Sequence, residues 1–187
     1  MTRFVRPASR IGTLVSALLL AQFGFAGAQT AAPASTPATL ADDRAVVTTI
    51  VMNAVTEVKL CGLALAKSQS SDIRTLCRRA SADNARTAIQ GMQLAQKIGA
   101  SDAKLEPAPQ TPEVLDSLAQ YSGDEFDRKF IFDQIEDAEN DEHSLRYAQE
   151  VATEAAVRHY EDAVLPTVEV RLDLAEAALR KMSETAP

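Results

Sequence analysis

Residues 165–179 read LPTVEVRLDLAEAAL, and they continue a seam in which Val164, Thr167, Arg171, Leu174 and Ala178 recur at steps of three and four. That period is helical, so the stretch predicts an amphipathic helix with one face turned inward. Arg171 breaks the pattern. A guanidinium on an inward seam needs either partners or a route to water.

The helical period extends upstream. A first helix over about 42–68 carries Val47, Val51, Ala54, Val58, Cys61 and Leu65 on one face. The turn SQSSD follows, and a second helix over about 72–98 repeats the pattern with Ile73, Cys77, Ala80, Ala88, Met92 and Ala95. Gly99 stands where a left-handed C-cap is wanted. A proline-containing crossover, residues 100–114, leads to a short helix with Thr111 as N-cap and Pro112 at N1, ending near Tyr121. Ser122-Gly123-Asp124-Glu125 reads as a capping box that opens a third long helix reaching about Ala152. The fourth, about 154–181, contains Pro166, which removes one backbone donor and predicts a bend or a short break. Strand signals are absent. Four long amphipathic helices joined by a short loop, a longer crossover and another short loop predict an all-α four-helix bundle, with the short extra helix between helices two and three.

The N-terminus MTRFVRPASR carries three arginines and no acid. The apolar stretch 11–25 follows and closes on Ala26-Gly27-Ala28. This is the plan of a secretory signal, residues 1–28, with cleavage expected after Ala28; an uncleaved anchor is the alternative. The stretch is shorter than the ~20 apolar residues that cross a bilayer. Residues 29–41, rich in Ala, Pro and Thr, read as a flexible linker, and the bundle domain is expected over 42–184. A periplasmic or otherwise exported location follows from this plan. Removing Arg3, Arg6 and Arg10 takes the formal charge from −7 to −10. Nucleic acid and anionic lipid head groups are therefore poor partners.

Three segments together resemble an exported, ferritin-like bacterial family of unknown function: 57-EVKLCGLALAKSQSSDIRTLCRRASADN-84, 122-SGDEFDRKFIFDQIEDAE-139 and 163-AVLPTVEVRLDLAEAAL-179. The resemblance implies a ferritin-like bundle and a metal-linked role. It also implies ligand positions: Glu57 on the first helix, an Asp-His pair on the second, another on the third, and a His after Leu165-Pro166. Here those pairs are Asp83-Asn84 and Asp137-Ala138, and the last position is Arg171, so the three imidazoles are missing. A ferritin-type centre needs carboxylates plus imidazole, and a guanidinium has donors only. The expectation is a degenerate site holding no metal and no cofactor.

The remaining candidates are weaker. His143 lies in the acidic run 136–142 and its flank, and His159 has no ligand spacing; both are expected on solvated faces, as is the acidic run. Cys61 and Cys77 sit eight residues either side of Gln69, at matching heights on a hairpin, which in an oxidising compartment predicts a disulfide. No phosphate loop, no nucleophile elbow and no aromatic platform occurs, so no catalytic residue is assigned. For Arg171 two placements are open. It can replace the missing cation in a buried ion cluster with Glu57, Asp83 and Asp137, or Pro166 can rotate the helix so that the side chain snorkels to water.

The functional expectation is a non-enzymatic, exported bundle with a structural, binding or stress-associated role in the cell envelope. The rival is a metal-dependent redox protein using Glu57, Asp83 and Asp137. A third reading is a peripheral partner of the outer or inner membrane, and an envelope protein partner is also open.

Overall fold

Five helices account for nearly all of the chain that the computed structural model describes, which is residues 39–100 and 102–184, with side chains from Asp43 onward. They are α1 (Thr39–Lys67), α2 (Ser71–Ile98), α3 (Thr111–Ala119), α4 (Gly123–Val151) and α5 (Ala155–Glu184), and no strand occurs among the described residues. The fold is all-α. The signal plan of residues 1–28 lies outside the described residues, as does most of the expected linker. Its last residues, 39–41, are already helical, so α1 starts three residues before the expected boundary.

Local signals set most of the helix ends. Ser70 caps α2, its hydroxyl accepting from the Ile73 amide at 3.4 Å, and Gly99 ends it in the left-handed region, its amide reaching the Ala95 carbonyl. Two expected caps are corrected. α3 takes Gln110 as N-cap, because the Thr111 hydroxyl is committed to the Ala108 carbonyl at 2.6 Å and lies 2.9 Å from the Thr56 hydroxyl. The capping box of α4 does not form. Gly123 adopts φ 56° directly after Ser122, and the Ser122 side chain makes no capping bond. α5 runs through Pro166 without a break, and the Thr167 hydroxyl bonds the Val164 carbonyl at 2.7 Å in the same turn. Its N-terminus is capped from another helix: the Asp43 carboxylate of α1 accepts from the amides of Thr153 and Glu154 and from the Thr153 hydroxyl.

α1 pairs with α2 and α4 with α5 as two hairpins, which meet mainly through α2 against α5. α1 touches α4 more sparsely, and α3 bridges these two. The close α1–α2–α5 contact depends on Gly91: a Cβ there would fall 2.5 Å from both Tyr160 Oη and Val51 Cγ2.

The interior is layered. One apolar cluster, around Leu60, Ile73, Leu76, Phe126, Phe130 and Ala175, fills the end near the α1–α2 turn. A second, around Val47, Leu94, Ala138, Tyr160, Val164 and Val168, fills the other end. Between them α1, α4 and α5 each place a polar side chain inward: Glu57, Gln134 and Arg171, all buried. This polar layer is the candidate site.

Candidate functional site

Helical register puts the layer together. Glu57 follows Ala54 on the inward face of α1, Gln134 follows Ile131 on α4, and Arg171 lies between Val168 and Ala175 on α5. Glu57 is satisfied from three directions. Its Oε2 accepts from Gln134 Nε2 at 3.0 Å and faces Arg171 Nη1 at 3.3 Å, while its Oε1 accepts from Cys61 Sγ at 3.1 Å. Arg171 is only 4% exposed. Its Nη2 donates to Asp141 Oδ2 of α4 at 2.6 Å, and Asp141 Oδ1 accepts from Asn53 Nδ2 of α1 at 3.1 Å. One guanidinium therefore bonds a carboxylate on each of two other helices.

Burial works against the charge on Arg171, but Glu57 and Asp141 outweigh it and hold its proton more tightly than usual. Asp137 acts on Arg171 through its field alone. Partial desolvation, reinforced by the nearby Glu57 charge, pushes its own carboxyl up to about 6. Two buried atoms in the layer lack protein partners, Arg171 Nε and Gln134 Oε1.

The structure thus brings together Arg171 and Glu57 of the expected cluster, adds Asp141, and leaves Asp83 out. Asp83 is covered by its own helix, held by Arg79 Nε one turn before it and by Arg86 Nη1 at 3.0 Å after it. Asn84 donates to the Ala80 carbonyl at 3.0 Å, and Ala138 packs in the second apolar cluster. Asp141 and Gln134 were not singled out in the sequence. Asp141 lies in the acidic run read as solvated, one turn beyond Asp137.

This donor set does not fit a ferritin-type metal. The carboxylates that converge are held by a guanidinium, imidazole is missing from all three positions, and both histidines lie exposed elsewhere. Among the described residues, no group of three or more His, Cys, Asp or Glu side chains is placed to hold an ion.

The expected disulfide is not formed in this structure, where Cys61 and Cys77 are free, fully buried thiols. The register does bring them side by side, but the Cys61 Sγ is turned to the Glu57 carboxylate. Its hydrogen bond with Cys77, burial and the Glu57 charge together push the Cys61 thiol far above its ordinary value, so the thiolate that would start exchange is suppressed.

Another buried carboxylate escaped the sequence reading. Glu161 of α5 is fully buried, neither oxygen has a protein partner, and burial, helped by Asp43 and Asp162 and opposed by Arg158, pushes it up to about 7. Extending the Val164–Arg171 seam upstream by a step of three lands on it, so the signal was present in the pattern.

Two cavities flank the polar layer along the sparse α1–α4 contact. One, about 230 Å³, is mainly apolar, walled by Val46, Ile50, Leu145, Val164 and Val168. The other, about 270 Å³, contains Glu57, Asp137, Asp141 and Arg171, with Gln110 and Thr111 of the α3 end as its far wall.

Comparison with known proteins gives one result. No curated protein and no solved structure matches the chain. The domain of unknown function DUF4142 matches residues 28–178, most of the sequence, and so the chain belongs to the DUF4142 family.

Proposed function

We propose that this chain is an exported, ferritin-like helical bundle that binds rather than catalyses, with Arg171 standing where a metal cation would otherwise neutralise the inward carboxylates. The carrying observation is the buried guanidinium shared between Glu57 and Asp141. A cation at that place would have to displace a side chain that is itself positively charged, so the metal-linked chemistry implied by the resemblance is lost and the bundle frame is kept. The basic-apolar-small N-terminus, 1–28, supports export to the cell envelope, and the charge of the mature chain disfavours nucleic acid.

Metal loading tests the reading. Purified protein incubated with ferrous or manganous ion and desalted should retain far less than one equivalent per chain. Stoichiometric retention that disappears in Glu57→Ala would overturn it in favour of a metal-dependent redox protein. Intact mass of envelope-purified protein tests export, with Gln29 expected as the first residue.

A further inference from the structure

The two cavities beside the polar layer are back to back. Asn53, Asp141 and Ser144 line both, and Asn53 and Asp141 are joined by a 3.1 Å hydrogen bond from α1 to α4 along this shared lining. The apolar chamber and the acidic chamber are thus halves of one cleft, with a carboxylate at their junction.

The acidic chamber is out of balance. It contains three carboxylates, Glu57, Asp137 and Asp141, against the single positive charge of Arg171. Net negative charge remains whether or not Asp137 is protonated. Arg171, whose Nε is buried without a protein partner, is one of the residues lining this chamber. A ligand matching these features carries a positive charge for Asp137 and Asp141, a neutral acceptor for the guanidinium, and a hydrocarbon body for the neighbouring apolar chamber. Anions are repelled by the same carboxylates. Sugars lack a stacking surface, since no aromatic residue lines either chamber.

We infer that the α1–α4 cleft binds a small amphipathic organic amine, of the amino-alcohol class, with its ammonium against Asp137 and Asp141, its hydroxyl beside Arg171 and its apolar body among Ile50, Leu145 and Val168. The ammonium restores charge balance in the acidic chamber. The apolar body gains burial in the adjoining apolar chamber, beside the shared Asn53, Asp141 and Ser144 lining. This inference rests on Arg171 and not a metal occupying the layer. Metal retention alone reads that premise, and amine titration alone reads the cleft.

The test is calorimetric titration of the full mature protein at pH 7.5 with 2-amino-1-phenylethanol and with hexylamine, beside mandelate as a charge-reversed analogue of the first. Saturable one-to-one binding of the amino alcohol is expected, with hexylamine weaker and mandelate silent. Asp137→Asn removes a chamber carboxylate that no guanidinium grips, and should weaken binding at least tenfold. Ser144→Phe fills the junction from an exposed helical position and should weaken it at least as much. Circular dichroism of both variants should match the parent. The proposal is overturned if neither amine binds below millimolar concentration, if mandelate binds as well as the amino alcohol, or if both variants bind the amino alcohol like the parent.

Discussion

Arg171 Nη2 lies 2.6 Å from Asp141 Oδ2, while its Nη1 faces Glu57 Oε2 at 3.3 Å, so one side chain of α5 joins α4 to α1 through the middle of the core. The two carboxylates are not equivalent. Asp141 keeps a quarter of its side chain exposed and can rehydrate alone, whereas Glu57 cannot. Arg171→Ala should therefore cost roughly 3 to 5 kcal/mol, the range for orphaning a buried charge. Adding Glu57→Gln should recover much of that loss, and the four-protein cycle in urea unfolding measures the interaction between the two residues. An Arg171→Ala protein of parental stability would show that the layer contributes nothing to holding the hairpins together.

Glu161 sets a pH dependence of definite sign. Its folded value of about 7 lies above its ordinary 4.5, so the folded chain binds the proton more tightly than the unfolded one. Stability should fall as pH rises from about 4.5 to 7, and the penalty should be complete above that. Asp137, raised to about 6, adds a loss of the same sign in a lower window. Glu161→Gln should be neutral near pH 4 and should stabilise by about 3 kcal/mol at pH 8, from the shift expressed as free energy. Thermal melts of both proteins at the two pH values check this, and an equal effect at both would remove ionisation as the cause.

The helices were legible because their seams are long. Every predicted helix forms, and the ends differ by only a few residues, since alternating steps of three and four over seven turns leave little ambiguity. Caps were less legible: Ser122 and Thr111 have the right residue type, but Gly123 and the Thr56–Thr111 pairing redirect the local hydrogen bonds. The site was half legible. Arg171 and Glu57 lie on their seams, but Asp83 and Asp141 each lie at a seam margin, where small rotations decide between core and surface. The Arg79 and Arg86 clamp holds Asp83 to its own helix, and Arg171 draws Asp141 inward. No sequence period encodes that competition between arginines.

The thiols should be inert in the folded state. At pH 8, iodoacetamide should modify neither Cys61 nor Cys77 in the native protein, because both are fully buried and the Cys61 thiol is held protonated beside Glu57. Unfolding in guanidinium without reductant should expose two reactive thiols per chain. Labelling of none under those conditions would mean that the pair is bridged in the isolated protein, against the free thiols of this structure.

Gly91 tests the closeness of α1, α2 and α5. An alanine there would gain up to about 1 kcal/mol of intrinsic helix preference, which alone predicts stabilisation. Its Cβ would instead fall 2.5 Å from Val51 Cγ2 and 2.5 Å from Tyr160 Oη, and the Tyr160 hydroxyl cannot swing aside without giving up its 2.9 Å bond to the Thr87 carbonyl. Overpacking of that kind costs about 1–3 kcal/mol, so the clash should outweigh the helix gain and Gly91→Ala should lower stability. Trimming the obstacle with Val51→Ala should relieve part of the strain, so that the double variant loses less than the two single losses added together. Chemical denaturation of the four proteins decides it. A Gly91→Ala protein more stable than the parent would mean that the three helices lie farther apart than this geometry places them.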